Sequence, residues 1–238
     1  MTEEIFRTDA YAQNCDAIVS SINAAGGIVL DRTVFYPIGG GQPGDQGALE
    51  TSDGQVIPIG DTVYDEARNI VHVPATPGSA EGRLAVGDKL RAVLDWDIRY
   101  PRMRMHSCMH LLSVVLPYPV TGGQLTQSAG RLDFDISEAG LDKQRITDEL
   151  NALIETNMDV SIKWITEAEL DAKPELVKTM AVKPPRGHGK IRLIRIGTAD
   201  LQPCGGTHVA NTGEIGAVMV RKIENKGAQN RRVRVVFA

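Results

Sequence analysis

Two short motifs in this chain carry the donor atoms of a metal site. His106-Ser107-Cys108-Met109-His110 and Cys204-Gly205-Gly206-Thr207-His208 together offer three imidazoles and a thiolate, the ligand set of tetrahedral zinc. Residues i and i+4 of a helix share a face, so His106 and His110 can point the same way. A Gly-Gly turn can fold Cys204 and His208 onto one ion. The same residues would also serve as satisfied structural histidines and a buried inert thiol. Three of the five histidines fall in these two motifs, and that coincidence favours one zinc per chain bound by His106, His110, Cys204 and His208. Cys108 points off the histidine face and reads as packing, and Cys15 as a small core residue. Three cysteines at unrelated positions make no disulfide framework.

The elements that must position these motifs differ between the two parts of the chain. Residues 1–95 hold short apolar runs (28–30, 56–59, 70–73 and 90–94) separated by Gly, Pro and Asp. This β-type punctuation predicts a small barrel or sandwich. Within it lies Phe35-Tyr36-Pro37-Ile38-Gly39-Gly40-Gly41-Gln42-Pro43-Gly44-Asp45-Gln46-Gly47. Such a loop lets backbone approach phosphate or ribose closely, but it lacks the Gly-Lys-Ser/Thr ending of a P-loop. The residues alone favour a tight hairpin with left-handed positions.

Residues 96–238 form the second predicted domain. Pro101 suits a first helical turn and Pro117 a stop, which predicts a helix over 101–116 carrying both histidines. A loop over 120–127 leads to a strand over 130–136. Helical spacing runs through 141–159, a strand follows at 160–165, and Thr166 with Glu169 makes a capping box for a short helix before Pro174. Strands at 191–196, 215–223 and 233–237 complete an antiparallel sheet with helices on one face. The expected fold is α+β, a barrel followed by a two-layer α/β domain.

The chain has 238 residues and the composition of a globular protein. Its acidic, polar start and lack of a long apolar run give the expectation of a cytoplasmic protein with no membrane segment. From Lys178 to Ala238 twelve Lys and Arg face three acids, about +9, which leaves about −13 for the rest of a chain of formal charge −4. A basic segment holding half of a metal site suggests a polyanion brought to the metal; solvated strand faces are the alternative.

The pairing of His106-x-x-x-His110 with Cys204-Gly-Gly-Thr-His208, followed by Thr212-Gly213-Glu214-Ile215-Gly216, resembles the editing domain of alanyl-tRNA synthetase and its free-standing AlaX-type relatives. The glycine-rich segment is similar to the motif of their N-terminal barrel, and Arg131-Leu132-Asp133-Phe134 to the strand after their helix. Lys226-Gly227 and Arg231-Arg232 fit the family's C-terminal end. The resemblance spans nearly the whole chain, although threonyl-tRNA synthetase editing domains share part of it. With no aminoacylation domain or anticodon reader recognisable, a free-standing protein is expected.

The resemblance implies an enzyme that hydrolyses the ester joining serine, or glycine, to the tRNA for alanine. A pocket built for a methyl group cannot strongly reject an added hydroxyl, so a second site must remove the product. It implies that the four ligands hold zinc in that site, where zinc polarises the ester, activates water or anchors the amino acid. In the family a Thr or Gln after the metal helix contacts substrate. This points first to Thr121, with Gln124 and Thr126 as rivals. Gly39, Gly40, Gly41 and Gln42 are expected to approach the terminal adenosine, and Arg131 to face substrate. Met109 departs from the Thr often found before the second histidine. The alternatives are a non-catalytic tRNA-binding module with structural zinc and a zinc hydrolase acting on another small ester.

Overall fold

Alternation of buried apolar and exposed polar residues closes the N-terminal strands into a barrel. In the computed structural model of the protein, residues 2–136, 140–177, 189–227 and 229–238 are described, so the basic residues Lys178, Lys183 and Arg186 lie outside the described residues. Two compact units are present, one of Met1–Gly39 with Pro43–Tyr100, the other of Gly40–Gln42 with Pro101–Ala238.

In the first unit, β1 (Glu3–Glu4), β2 (Asn14–Ile22), β3 (Ile28–Leu30), β4 (Arg32–Thr33), β5 (Gly47–Thr51), β6 (Val56–Tyr64), β7 (Ile70–Pro74) and β8 (Lys89–Leu94) follow in order. The barrel closes as β2-β3-β7-β6-β5-β8, and β1 pairs in parallel with β4. In β8, Leu90, Ala92 and Leu94 point inward while Lys89 and Arg91 face water. Ile57 and Ile59 of β6 do the same, and the interior is completed by Leu49, Ile28, Leu30 and Phe35. Truncating one such buried aliphatic to Ala costs about 2–5 kcal/mol.

The glycine-rich segment contributes a buried ion pair to this unit. Arg99, fully buried, donates to both carboxylate oxygens of Asp45, to Val34 O at 2.7 Å and to Ala10 O at 3.1 Å. Asp45 in turn accepts from the Tyr36 backbone N–H at 2.6 Å. Paired on every side, the two charges tolerate a site that excludes water.

Helix α1 (Trp96–Val115) starts five residues earlier than Pro101 suggests. Asp95 begins it, its Oδ1 accepting from Ile98 N–H at 3.2 Å and its carbonyl from Arg99 N–H at 3.0 Å. A side-chain cap of this kind satisfies orphan N–H groups and overrides the proline cue. Pro101 therefore sits inside the helix.

The second unit holds two antiparallel sheets where the sequence suggested one. β9 (Val120–Leu125), β10 (Ala129–Asp135), β14 (Val218–Asn225) and β15 (Asn230–Phe237) make the first, in the order β14-β15-β10-β9; β11 (Val160–Thr166), β12 (Lys190–Ile196) and β13 (Asp200–Pro203) make the second. β9 corrects the expected loop at 120–127. Its Gly122-Gly123 pair reads as a turn, yet the strand pairs with β10 through Gly130↔Leu125 and Arg131↔Gln124, with a bulge beside Phe134. Cross-strand pairing overrides the local glycine signal.

α1 lies on the face of the first sheet that carries Gly130, where an added Cβ would come within 2.7 Å of Met109 Sδ and 2.9 Å of Met105 Sδ. Arg104 fastens α1 by donating to Ile215 O at 3.0 and 2.6 Å. α2 (Lys143–Glu155), N-capped by Asp142, buries Ile146, Leu150 and Ile154, and its Asn151 exchanges hydrogen bonds with Val218. The capping box of Thr166 and Glu169 starts α3 (Glu167–Asp171). Among the described residues no helix is long and apolar enough to cross a membrane.

Candidate metal centre

One helical turn brings His106 and His110 of α1 side by side, and the stretch after β13 brings Cys204 and His208 to them. The four donor atoms lie within 4.8 Å of one another. Cys204 Sγ is 3.5 Å from His106 Nε2 and 3.3 Å from His208 Nε2. Tetrahedral zinc with its usual bond lengths sets donors about 3.3–3.6 Å apart, so the two sulfur–nitrogen distances already match, and donors up to 4.8 Å apart would draw in by about 1 Å around an ion. The three histidines are buried, and Cys204 is half-buried. Cys108, fully buried in the packing of α1, has its thiol pushed up to about 12 by burial and is no ligand.

Each ring is held at its other nitrogen. His110 Nδ1 lies 3.0 Å from Asp200 Oδ2, which also accepts from Gln202 Nε2 at 2.8 Å. His208 Nδ1 lies 3.1 Å from Ser107 Oγ. His106 Nδ1 lies 2.9 Å from Gln42 Oε1. All three rings therefore turn Nε2 to the cluster, the arrangement by which hydrogen-bonded partners fix tautomer and orientation in metal sites.

The electrostatics follow from this crowding. Burial opposes ionisation of the Cys204 thiol, but the imidazoles of His106, His208 and His110 outweigh it and hold its pKa well below the usual thiol value. Burial first, then the neighbouring His106 and His110, push His208 well down. For His110 burial works downward, yet Asp200 and Cys204 prevail and raise it to about 9. A thiolate among imidazoles is the donor set that borderline-soft zinc prefers over hard oxygen-seeking ions.

The ligand loop has a tether of its own. Arg192 of β12, buried, donates through Nη1 to Cys204 O at 2.8 Å and Gly206 O at 2.9 Å. It holds the metal loop, although the charge pattern alone places it among surface cations. Gly206 has no room for a side chain, since an added Cβ would lie 2.2 Å from His106 Cε1.

The remaining sequence-selected residues are placed as follows. Thr121 Oγ1 donates to Asp133 O at 3.1 Å at the β9 bulge, and Asn230 Nδ2 approaches it at 3.4 Å. Gln124 Oε1 accepts from Arg131 Nη2 at 3.2 Å, and Arg131 Nη1 donates to Asp133 at 2.7 Å. Strand alternation puts Gln124 and Arg131 on the sheet face opposite Gly130, and so opposite α1. Thr126 caps the β9–β10 turn, accepting from Ala129 N–H at 3.1 Å. The hydrogen bonds of these four residues run within the sheet of β9, β10 and β15 and its turn, and not to the four donors. Gly39 O accepts from Tyr36 OH at 2.8 Å. Gly40 and Gly41 have φ of 56° and 84°, and an added Cβ on Gly41 would lie 2.5 Å from Gly123 O. The left-handed backbone expected here is present.

Asp200, Gln202, Ser107 and the Arg192 tether escaped the sequence reading. The one signal for the first two was alternation of polar residues in a short buried strand just before Cys204.

Two family models match this chain, one over the barrel and one over the stretch that carries Cys204 and His208. That for the threonyl and alanyl tRNA synthetase second additional domain matches residues 191–234, and that for class II (A) tRNA synthetases matches residues 4–98. The chain is 35% identical over 242 residues to the alanyl-tRNA editing protein AlaX-M of Methanosarcina acetivorans, covering 98% of each chain. It is 33% identical to AlaX-L of Pyrococcus horikoshii, over 95% of this chain and 55% of that one. Identity to the alanine–tRNA ligase of Pyrobaculum neutrophilum is 32%, over 94% of this chain and 25% of the ligase. The chain belongs to the AlaX family of alanyl-tRNA editing proteins.

Proposed function

We propose that this protein is a cytoplasmic, zinc-dependent deacylase that hydrolyses the ester of serine, or of glycine, on tRNA(Ala). The observation that carries the reading is the convergence of His106, His110, Cys204 and His208 donor atoms within 4.8 Å, in a chain alike over its length to alanyl-tRNA editing proteins. Zinc held there supplies a Lewis acid for the ester carbonyl and a lowered pKa for water. The protein's own part is to direct the three Nε2 atoms at the ion, each ring being held at Nδ1 by Gln42, Asp200 or Ser107.

For the serine hydroxyl we propose Thr121. Its own proton is committed to Asp133 O, so its oxygen presents lone pairs that accept from an incoming hydroxyl. Gln124 and Thr126 are the rivals. Gly39, Gly40, Gly41 and Arg131 are proposed to meet the terminal nucleotide.

The deciding experiment is a deacylation panel of seryl-, glycyl- and alanyl-tRNA(Ala) with seryl-tRNA(Ser). Fast loss of serine from tRNA(Ala), with slow loss of alanine, supports the reading; equal rates on all four contradict it. A second reading, a non-catalytic tRNA-binding module with structural zinc, draws on the fact that four protein donors complete a tetrahedron. Tight tRNA binding with no hydrolysis in that panel would select it.

A further inference from the structure

Gln42 is fully buried, although the glycine-rich segment that carries it reads as a tight hairpin with left-handed positions. Its Oε1 lies 2.9 Å from His106 Nδ1 and accepts from the Thr207 backbone N–H at 3.1 Å. Its Nε2 donates to Thr207 Oγ1 at 2.9 Å. The backbone ahead of it is pinned as well, because Gly41 O accepts from Leu125 N–H at 2.9 Å along the edge of β9. One side chain thus joins a histidine of α1 to the loop between Cys204 and His208.

A primary amide has one good acceptor atom, and here two donors converge on it. With Oε1 occupied by the Thr207 N–H, the neighbouring imidazole nitrogen bonds to the same oxygen only as a donor. His106 must therefore carry its proton on Nδ1 and leave Nε2 bare toward Cys204. We propose that Gln42 is a positioning residue of the metal centre, fixing the tautomer and orientation of His106 and the register of the Cys204–His208 loop, and that it is not a contact to the terminal adenosine. The inference rests on the zinc reading for its consequence, though not for its geometry.

The test compares the wild type with Gln42→Met and Gln42→Glu. Met fills similar space and removes every bond. Glu keeps an acceptor for both N–H groups, and the Thr207 hydroxyl can reverse to donate. Competition with a chromophoric chelator should show zinc binding weakened about 10–100-fold in Gln42→Met, the usual cost of losing such a partner, and largely retained in Gln42→Glu. Unchanged zinc affinity in Gln42→Met, with only KM for tRNA raised, would overturn the proposal and return Gln42 to the substrate.

Histidine-ring ¹⁵N–¹H spectra of the metal-free protein give a reading that needs neither zinc nor a variant. Neutral His106 should show its proton on Nδ1 in the wild type and a mixture of tautomers in Gln42→Met. A wild-type proton on Nε2 overturns the proposal even if the variant does not fold. A wild type that takes up no zinc while showing the Nδ1 proton would sink the zinc reading and leave the positioning role standing.

Discussion

Asp200 Oδ2 lies 3.0 Å from Nδ1 of His110, and a carboxylate from a four-residue strand thereby orients a ring presented by a helix ninety residues earlier in the chain. Gln202 Nε2, 2.8 Å from the same oxygen, holds the carboxylate in turn. Replacing Asp200 with Ala should weaken zinc binding about tenfold or more while the circular dichroism of the protein is kept. Unaltered zinc affinity in Asp200→Ala would show that His110 is oriented by its helix alone.

Thr121→Val keeps the shape of the side chain and removes its hydroxyl. If the Thr121 oxygen accepts from the serine side chain, seryl-tRNA(Ala) hydrolysis should slow several-fold, since a neutral hydrogen bond contributes about 1 kcal/mol net, with alanyl hydrolysis and zinc content nearly unchanged. Equal loss on both esters would instead mean that the bond to Asp133 O supports β9 and that another group reads the serine.

Charge reversal on the basic segment must respect what the cations already do. Arg192 is built into the metal loop, and Arg232 makes two bonds to Asp133, at 2.7 and 2.8 Å. Lys190 is exposed, and the side chains of Lys222 and Lys226 are 63% and 42% exposed. Replacing these three lysines with Glu should weaken tRNA binding and flatten its dependence on salt, by about 0.9 in the log–log slope for each duplex phosphate no longer neutralised. Binding curves that superimpose at every salt concentration would assign the segment to solvation.

The barrel has a pH response of its own. His72 is fully buried, with Nδ1 3.0 Å from Ile28 O and Nε2 2.8 Å from Thr33 Oγ1, whose oxygen accepts from Phe35 N–H. This network suits a neutral ring, and burial pushes its pKa down to about 4 from 6.5. Between those values the unfolded chain binds the proton and the folded chain does not, so stability falls as pH drops through this window and is flat above it. The loss from this residue by pH 4 is about 3 kcal/mol. Urea melts of the wild type and His72→Gln should diverge with that sign; parallel pH profiles would show that His72 titrates freely in the fold.

Much of this arrangement could be read from local pattern. His106 and His110 share a helix face because of their spacing, the Thr166 and Glu169 cap is a contiguous signal, and the barrel strands show period-two burial, as in β8. The misreadings have physical causes. Pro101 marks a first helical turn in the sequence, whereas the side chain of Asp95 caps a helix that starts five residues earlier, and the Gly122-Gly123 pair conceals a strand whose stability comes from its partner β10. Gln42 reaches His106 across 64 residues and Thr207 across 165. Contacts of that range leave no periodicity to find, and the glycines around Gln42 read only as permissive backbone. Arg192 looked like one of a run of surface cations because burial of a single arginine is decided by the carbonyls it meets, here those of Cys204 and Gly206.

X-ray absorption at the zinc edge of the purified protein measures the central claim most directly. His106, His110, Cys204 and His208 on one ion predict about one zinc per chain, with one sulfur near 2.3 Å and three nitrogens near 2.0 Å, and no sulfur shell after Cys204→Ser. Zinc surrounded by oxygen alone, or protein prepared with zinc present that binds none, would contradict the account.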